Sequence, residues 1–192
     1  MIKYIKHIFS EFEHGIDHWD DPRERLFEGT MVKGRPTRGF GDSTFKYAGK
    51  VYKPEPWTHQ MQLIKAAAEE VASKTFNKRI AFTFCLCGLY PDEKGIPHHS
   101  DTVPTLNDVV VSISLGSPRV FNWRTYQNNI KQHTNTSDIS LKENFLKEEK
   151  SYILEHGDVI MFDGHTQMKS THSIPDLVGA GERVNLTFRS GL

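Results

Sequence analysis

Cysteine is scarce: there are two, Cys85 and Cys87, both in the apolar run FTFCLCGLY. A four-thiolate zinc site would need two more. Side chains at i and i+2 of a strand share a face, so the pair reads as two buried strand thiols. With no disulfide framework, the chain suits a reducing, intracellular setting. Net charge is also missing, with 24 basic residues against 24 acidic ones. This excludes attraction of the whole chain to nucleic acid as a polycation, so any such partner must be met by a local patch. Nor is there a long apolar run. No stretch approaches the roughly 20 residues of a membrane span, and the start, MIKYIKHIFSEFEHG, lacks both the apolar core and the small-residue cleavage site of a signal peptide. The expectation is a soluble, cytoplasmic, monomeric protein forming one domain over residues 1–192.

What is present changes character along the chain. Phe9, Phe12, Ile16 and Trp19 recur at steps of three and four, which predicts an amphipathic helix over 9–19. Thr58, after Pro56 and Trp57, has the chemistry of an N-cap, and Met61, Ile64, Ala68 and Val71 would line the inner face of a second helix. From residue 80 the segments IAFTFCL, VVVSISL, RVFNWR, SYILE, DVIMFD and RVNLTFR are short, β-branched or aromatic, and bounded by turn residues. Helices followed by many short strands indicate an α+β protein, with a sandwich or barrel-like β-core supported by N-terminal helices. Residues 126–150 are polar and poorly periodic and read as an exposed excursion, with a short helix near 140–148.

Two stretches carry chemistry. In RVNLTFR, Val184, Leu186 and Phe188 alternate with Arg183, Asn185, Thr187 and Arg189, so the two sets face opposite ways. The polar set is either a solvated face or a cavity wall. In a cavity the arginines would suit a small dicarboxylate, which a guanidinium grips with two parallel hydrogen bonds. In GIPHHSDTVP, an extended backbone puts His99 and Asp101 on one face and His98 on the other. A His-x-Asp pair can chelate a metal from one rigid segment, and His156, His165 and His172 are candidates for a third ligand. Two histidines and one carboxylate form the facial set of non-haem Fe(II) oxygenases, which leaves positions for an organic co-substrate and O2.

Tyr90 nine residues before the His99-Ser100-Asp101 run, then HSIP, then RVNLTFR near the C-terminus resemble the AlkB family of Fe(II)- and 2-oxoglutarate-dependent dioxygenases. FGD, FKYAG and PEPW are similar to that family's nucleotide-recognition region, so the resemblance covers residues 35–192. It implies a double-stranded β-helix (jelly-roll) core and oxidative removal of N-alkyl groups from bases of DNA or RNA. Carried over by position, His99, Asp101 and His172 are the Fe(II) ligands, with His165 as fallback for the third. Arg183 pairs with the far carboxylate of 2-oxoglutarate. Tyr90, Asn185 and Arg189 complete the co-substrate's surroundings, and His98 stands beside the site. Reaction with O2 then yields succinate and CO2, and formaldehyde when the group removed is methyl.

The pattern departs from the family in two places. Gly88 stands where the family often has an Asn that helps hold 2-oxoglutarate, and Val103 where its repair enzymes usually carry an acidic residue near the base. Residues 31–54 carry six basic residues against Asp42 alone, interleaved with Phe40, Phe45, Tyr47 and Tyr52. Such a segment suits a nucleotide-recognition lid, with Arg38 and Lys46 on phosphates and Phe45 or Tyr47 stacked on an extruded base. It also suits a solvated basic hairpin. Val103 keeps open an oxygenase acting on a protein side chain or small molecule. A zinc hydrolase would leave the paired arginines and Tyr90 unexplained, and a non-catalytic jelly roll would leave the ligand set unexplained.

Overall fold

The computed structural model describes residues 2–22, 24–27, 30–42, 44–47, 50–101, 107–127 and 146–189, with backbone alone for 24–33, 45–50 and 52. The helix expected over 58–71 forms as α1 (His59–Phe76). Thr58 Oγ1 accepts from the Met61 N–H at 3.2 Å, and Asn77 closes the other end in the left-handed conformation. Met61, Ile64, Ala68 and Ala72 are buried.

The helix expected over 9–19 does not form. Residues 12–19 have no regular structure, although Phe9 and Ile16 reach the core and Phe12 and Trp19 pack against it. Gly15 has φ +62°, and His14 Nδ1 accepts from the Ile16 N–H at 3.0 Å. A left-handed residue and a local side-chain bond both interrupt a helical ladder. The apolar spacing thus describes burial here and not a helix. Of the short helix expected near 140–148, residues 146–148 are strand and the rest lie outside the described residues.

Fourteen strands are described, and their ladders are antiparallel. A six-stranded sheet runs β1 (Lys3–Ile5), β12 (Val159–Asp163), β9 (Val109–Gly116), β14 (Arg183–Arg189), β7 (Phe84–Tyr90), β4 (Thr37–Gly41). A four-stranded sheet runs β11 (Leu146–Leu154), β10 (Arg119–Tyr126), β13 (Ser170–Ile174), β8 (Ile96–His99). Two hairpins, β2 (Glu24–Phe27) with β3 (Thr30–Lys33) and β5 (Phe45–Tyr47) with β6 (Lys50–Tyr52), precede α1. A four-residue helix α2 (Gly164–Gln167) separates β12 from β13.

Two apolar clusters cover the two faces of the larger sheet. Val184, Leu186 and Phe188, with Cys85 and Cys87, join the α1 residues in one. The two thiols are free, buried and 3.8 Å apart, as strand neighbours on one face should be. Tyr90, Val110, Ile160 and Phe162 join Phe121, Trp123 and Ile174 of the smaller sheet in the other. This is the sheet-on-sheet arrangement expected from the sequence. The polar face of β14 is accordingly turned away from α1 and all of its side chains are buried, which decides between solvated face and cavity wall. No described helix is long and apolar enough to cross a membrane.

Candidate metal and co-substrate site

His99 ends β8 and His172 is central in β13, and the two are direct partners in the ladder between these strands. Their rings lie 4.3 Å apart. Asp101, two residues beyond His99, brings Oδ2 to 3.7 Å from His172 Nε2. One donor atom from each of the three lies within 4.8 Å of the other two, the only such group of three or more found among the described residues.

Each donor is prepared for a cation. The His99 Nδ1–H donates to the Pro97 carbonyl at 2.9 Å, which leaves Nε2 with its lone pair. His172 lies parallel to Trp123, 5° between planes, and within 5.2 Å of Phe121. Burial, with His99 alongside, pulls the His172 imidazole down to about 3, and burial lowers His99 as well. Both rings are thus held neutral, the form that ligates. Burial alone would raise the Asp101 carboxyl, but the Arg189 guanidinium, bonded to Oδ1 at 2.7 Å, holds it well below the usual carboxylate range. The Asp101 N–H donates to Gln167 Oε1 at 2.8 Å, fixing the loop that carries it. Two neutral imidazoles and an ionised carboxylate make a donor set that fits Fe(II).

The other histidines are used elsewhere. Both nitrogens of His98 meet hydroxyls, Thr171 Oγ1 and Ser173 Oγ, each at 3.1 Å. His156 accepts from the Gly116 N–H and donates to the Ser10 carbonyl, each at 3.0 Å. His165 is exposed on α2 and does not join the group.

Arg183 stands opposite Tyr90 in the ladder, with its guanidinium carbon 4.9 Å from that ring's centroid. Nη2 donates to Ser114 Oγ at 2.8 Å and to Asn185 Oδ1 at 3.0 Å. Asn185 is itself aligned by Ser112 Oγ at 2.9 Å and by its own bond to Thr187 Oγ1 at 2.7 Å. Arg183 Nε and Nη1 are buried with no partner among the described residues, and burial lowers the group to about 10. Buried donors left unmade are expensive, and the oxygens of an anionic co-substrate would satisfy them with charge-assisted hydrogen bonds. These residues therefore fit 2-oxoglutarate.

Arg38 does not join the site. It is 5% exposed and donates to Asp17 Oδ1 at 3.2 Å, to the His18 carbonyl at 2.9 Å and to Glu55. Phe45, Lys46 and Tyr47 form β5, but their side chains, like Val103, lie outside the described residues. Sequence reasoning overlooked Gln167 and the Pro97 carbonyl, neither of which has a motif to announce it.

Comparison with known proteins agrees with this geometry. Residues 19–189 match the 2OG-Fe(II) oxygenase superfamily. The mouse and human proteins named alpha-ketoglutarate-dependent dioxygenase alkB homolog 3 are each 30% identical over 166 residues, 84% of this chain and 53% of theirs. The Arabidopsis thaliana protein named DNA oxidative demethylase ALKBH2 is 31% identical over 187 residues, 89% of this chain and 57% of its own. The chain thus spans about half the length of the curated relatives it matches. Among solved structures, that titled the structure of OsALKBH1 shares the fold at TM-score 0.60 and 18% identity, over 98% of this chain and 97% of the other. The AlkB resemblance read from the motifs is borne out, and the chain belongs to the 2OG-Fe(II) oxygenase superfamily.

Proposed function

We propose that this chain is an Fe(II)- and 2-oxoglutarate-dependent dioxygenase that removes N-methyl groups from nucleic acid bases, releasing succinate, CO2 and formaldehyde. The observation that carries the oxygenase part is the pairing of the His99–Asp101–His172 cluster with Arg183, whose two buried donors lack a partner. The nucleic acid part is supported by the name of the Arabidopsis relative, a DNA oxidative demethylase, and by the basic, aromatic-rich segment 31–54.

His99, Asp101 and His172 would hold the iron, with Arg183, Tyr90 and Asn185 around the co-substrate. Bound there, Fe(II), 2-oxoglutarate and O2 supply an oxidant able to attack an unreactive C–H bond. The chain's part is placement. Pro97 and Gln167 orient two ligands from behind, Arg189 keeps Asp101 ionised, and the Phe121–Trp123–Phe162 wall packs around His172 and excludes water. We read the chain as a single monomeric domain with a recognition lid at 31–54, in which Lys46 meets phosphate and Phe45 or Tyr47 stacks on the base. A cytoplasmic location is part of the same proposal.

A second reading keeps the oxygenase and changes the substrate to a protein side chain or small molecule. It is favoured by Arg38, whose charge is spent on Asp17 and Glu55 and not offered to a phosphate. One experiment separates the two: succinate and formaldehyde release with and without methylated oligonucleotides, beside oligonucleotide titrations at two salt concentrations. Lys46→Ala should lower the log–log salt slope by about 0.7 for a single strand or 0.9 for a duplex. Tyr47→Ala should cost roughly 1–3 kcal/mol with the slope unchanged. Equally weak, salt-independent binding by wild type and both variants would transfer the assignment to the second reading.

A further inference from the structure

Arg35 belongs by sequence to the basic segment, yet its side chain enters the site. Its guanidinium carbon lies 4.9 Å from the centroid of the Tyr90 ring, as close as that of Arg183. Its Nε is buried with no partner among the described residues. It also explains the glycine at 88. A Cβ built there would overlap Arg35 Nε and come within 3.2 Å of Cδ and Cζ, so Arg35 occupies the room that a side chain at 88 would need.

The ladder fixes where this is. Gly88 is paired with Asn185, between Arg183 opposite Tyr90 and Arg189 opposite Phe84, and Arg189 holds Asp101. Arg35 therefore lies between the anchoring arginine and the metal ligands, and its charge acts on Arg183 at one side and on His99 and Asp101 at the other. Two guanidinium groups packed on one tyrosine ring, each with buried donors unmade, repel each other until an anion comes between them.

We propose that Arg35 is a second guanidinium for the dicarboxylate co-substrate, donating to it between Arg183 and the metal ligands from the space left open by Gly88. This rests on the co-substrate reading above. The other anion of suitable chemistry is a phosphate of the nucleic acid, and the test separates the two sources.

The measurement is calorimetric titration of 2-oxoglutarate into Mn(II)-loaded protein without O2, which reads binding and not turnover. Arg35→Ala should weaken binding roughly 10- to 100-fold, the loss expected for a charge-assisted hydrogen bond. Arg35→Gln, which keeps the stem and a neutral donor, should lose less, and serves if the alanine variant does not fold. Gly88→Asn combined with Arg35→Ala should recover part of the affinity, because an amide then fills the vacated space, an outcome that a purely packing role would not give. Unchanged 2-oxoglutarate affinity in the Arg35 variants, with Arg183→Ala still impaired, overturns this inference alone. Should Arg183→Ala bind normally too, the co-substrate reading itself fails. Loss of about one phosphate contact from the oligonucleotide salt slope, with 2-oxoglutarate affinity intact, reassigns Arg35 to the nucleic acid and also overturns the proposal.

Discussion

Replacing Arg189 by methionine would keep most of the side chain's volume and remove the charge that faces Asp101. Both partners are nearly sealed from water, with side-chain exposures of 3% and 9%. Breaking such a pair from one side leaves a carboxylate desolvated and uncompensated, which costs about 3–5 kcal/mol. For a chain of this size that lowers the melting temperature by roughly 6–20 °C. The size of the loss should depend on the metal. A divalent ion held by His99, Asp101 and His172 brings its own positive charge to the carboxylate, so it substitutes in part for the missing guanidinium. The assay is thermal unfolding followed by circular dichroism, wild type against Arg189→Met, in EDTA and in excess Mn(II). The destabilisation should be large in EDTA and clearly smaller in Mn(II). An equal loss in both conditions would refute the electrostatic reasoning, as would a shift in EDTA below about 3 °C, the size of a surface effect.

His99→Ala, Asp101→Ala and His172→Ala should each abolish Fe(II)-dependent succinate formation, while His98→Ala and His165→Ala keep most of it; loss in the His165 variant with activity retained in His172→Ala would move the third ligand. Acid stability should carry the mark of His98, which burial, aided by Arg124, pushes down to about 4. As pH falls from about 6.5 towards 4 the unfolded chain takes up this proton first, so stability is lost across that window and levels off below it. Denaturant titrations of metal-free protein at several pH values should show a shallower loss in His98→Gln, and identical slopes would remove His98 from the account.

Where the sequence was legible, one local rule dominated. β14 was readable to the residue because strict alternation had one face to bury against α1 and another to line the site. α1 was readable from Thr58 because an N-cap is chemistry confined to four residues. β13 was hidden for the opposite reason. Ser170, Thr171 and Ser173 are buried but polar, and hydrogen bonds with Ser100, Tyr126 and His98 replace the apolar periodicity that would have revealed a strand. β8 was hidden behind Pro97, and only its pairing with β13 makes it a strand. The three candidate ligands could be named from the resemblance, although β8 and β13, the strands that carry His99 and His172, could not. Arg35 looked like one charge among six, and nothing short of three dimensions places it over Gly88.

The ladder that pairs His99 with His172 has a further consequence. β8 is a four-residue edge strand, joined to its sheet by β13 alone and with an irregular register. The ligand that ends this strand and the ligand on its neighbour would grip the same ion, which makes the ion a rivet through the hem of the sheet. Binding free energy gathered there is spent on keeping the hem closed. Take the rivet out and a row of backbone amides and carbonyls can be offered to any passing chain. On the metal reading, losing the ion would open this edge of the sheet as well as empty the site, a cost in stability separate from any cost in activity.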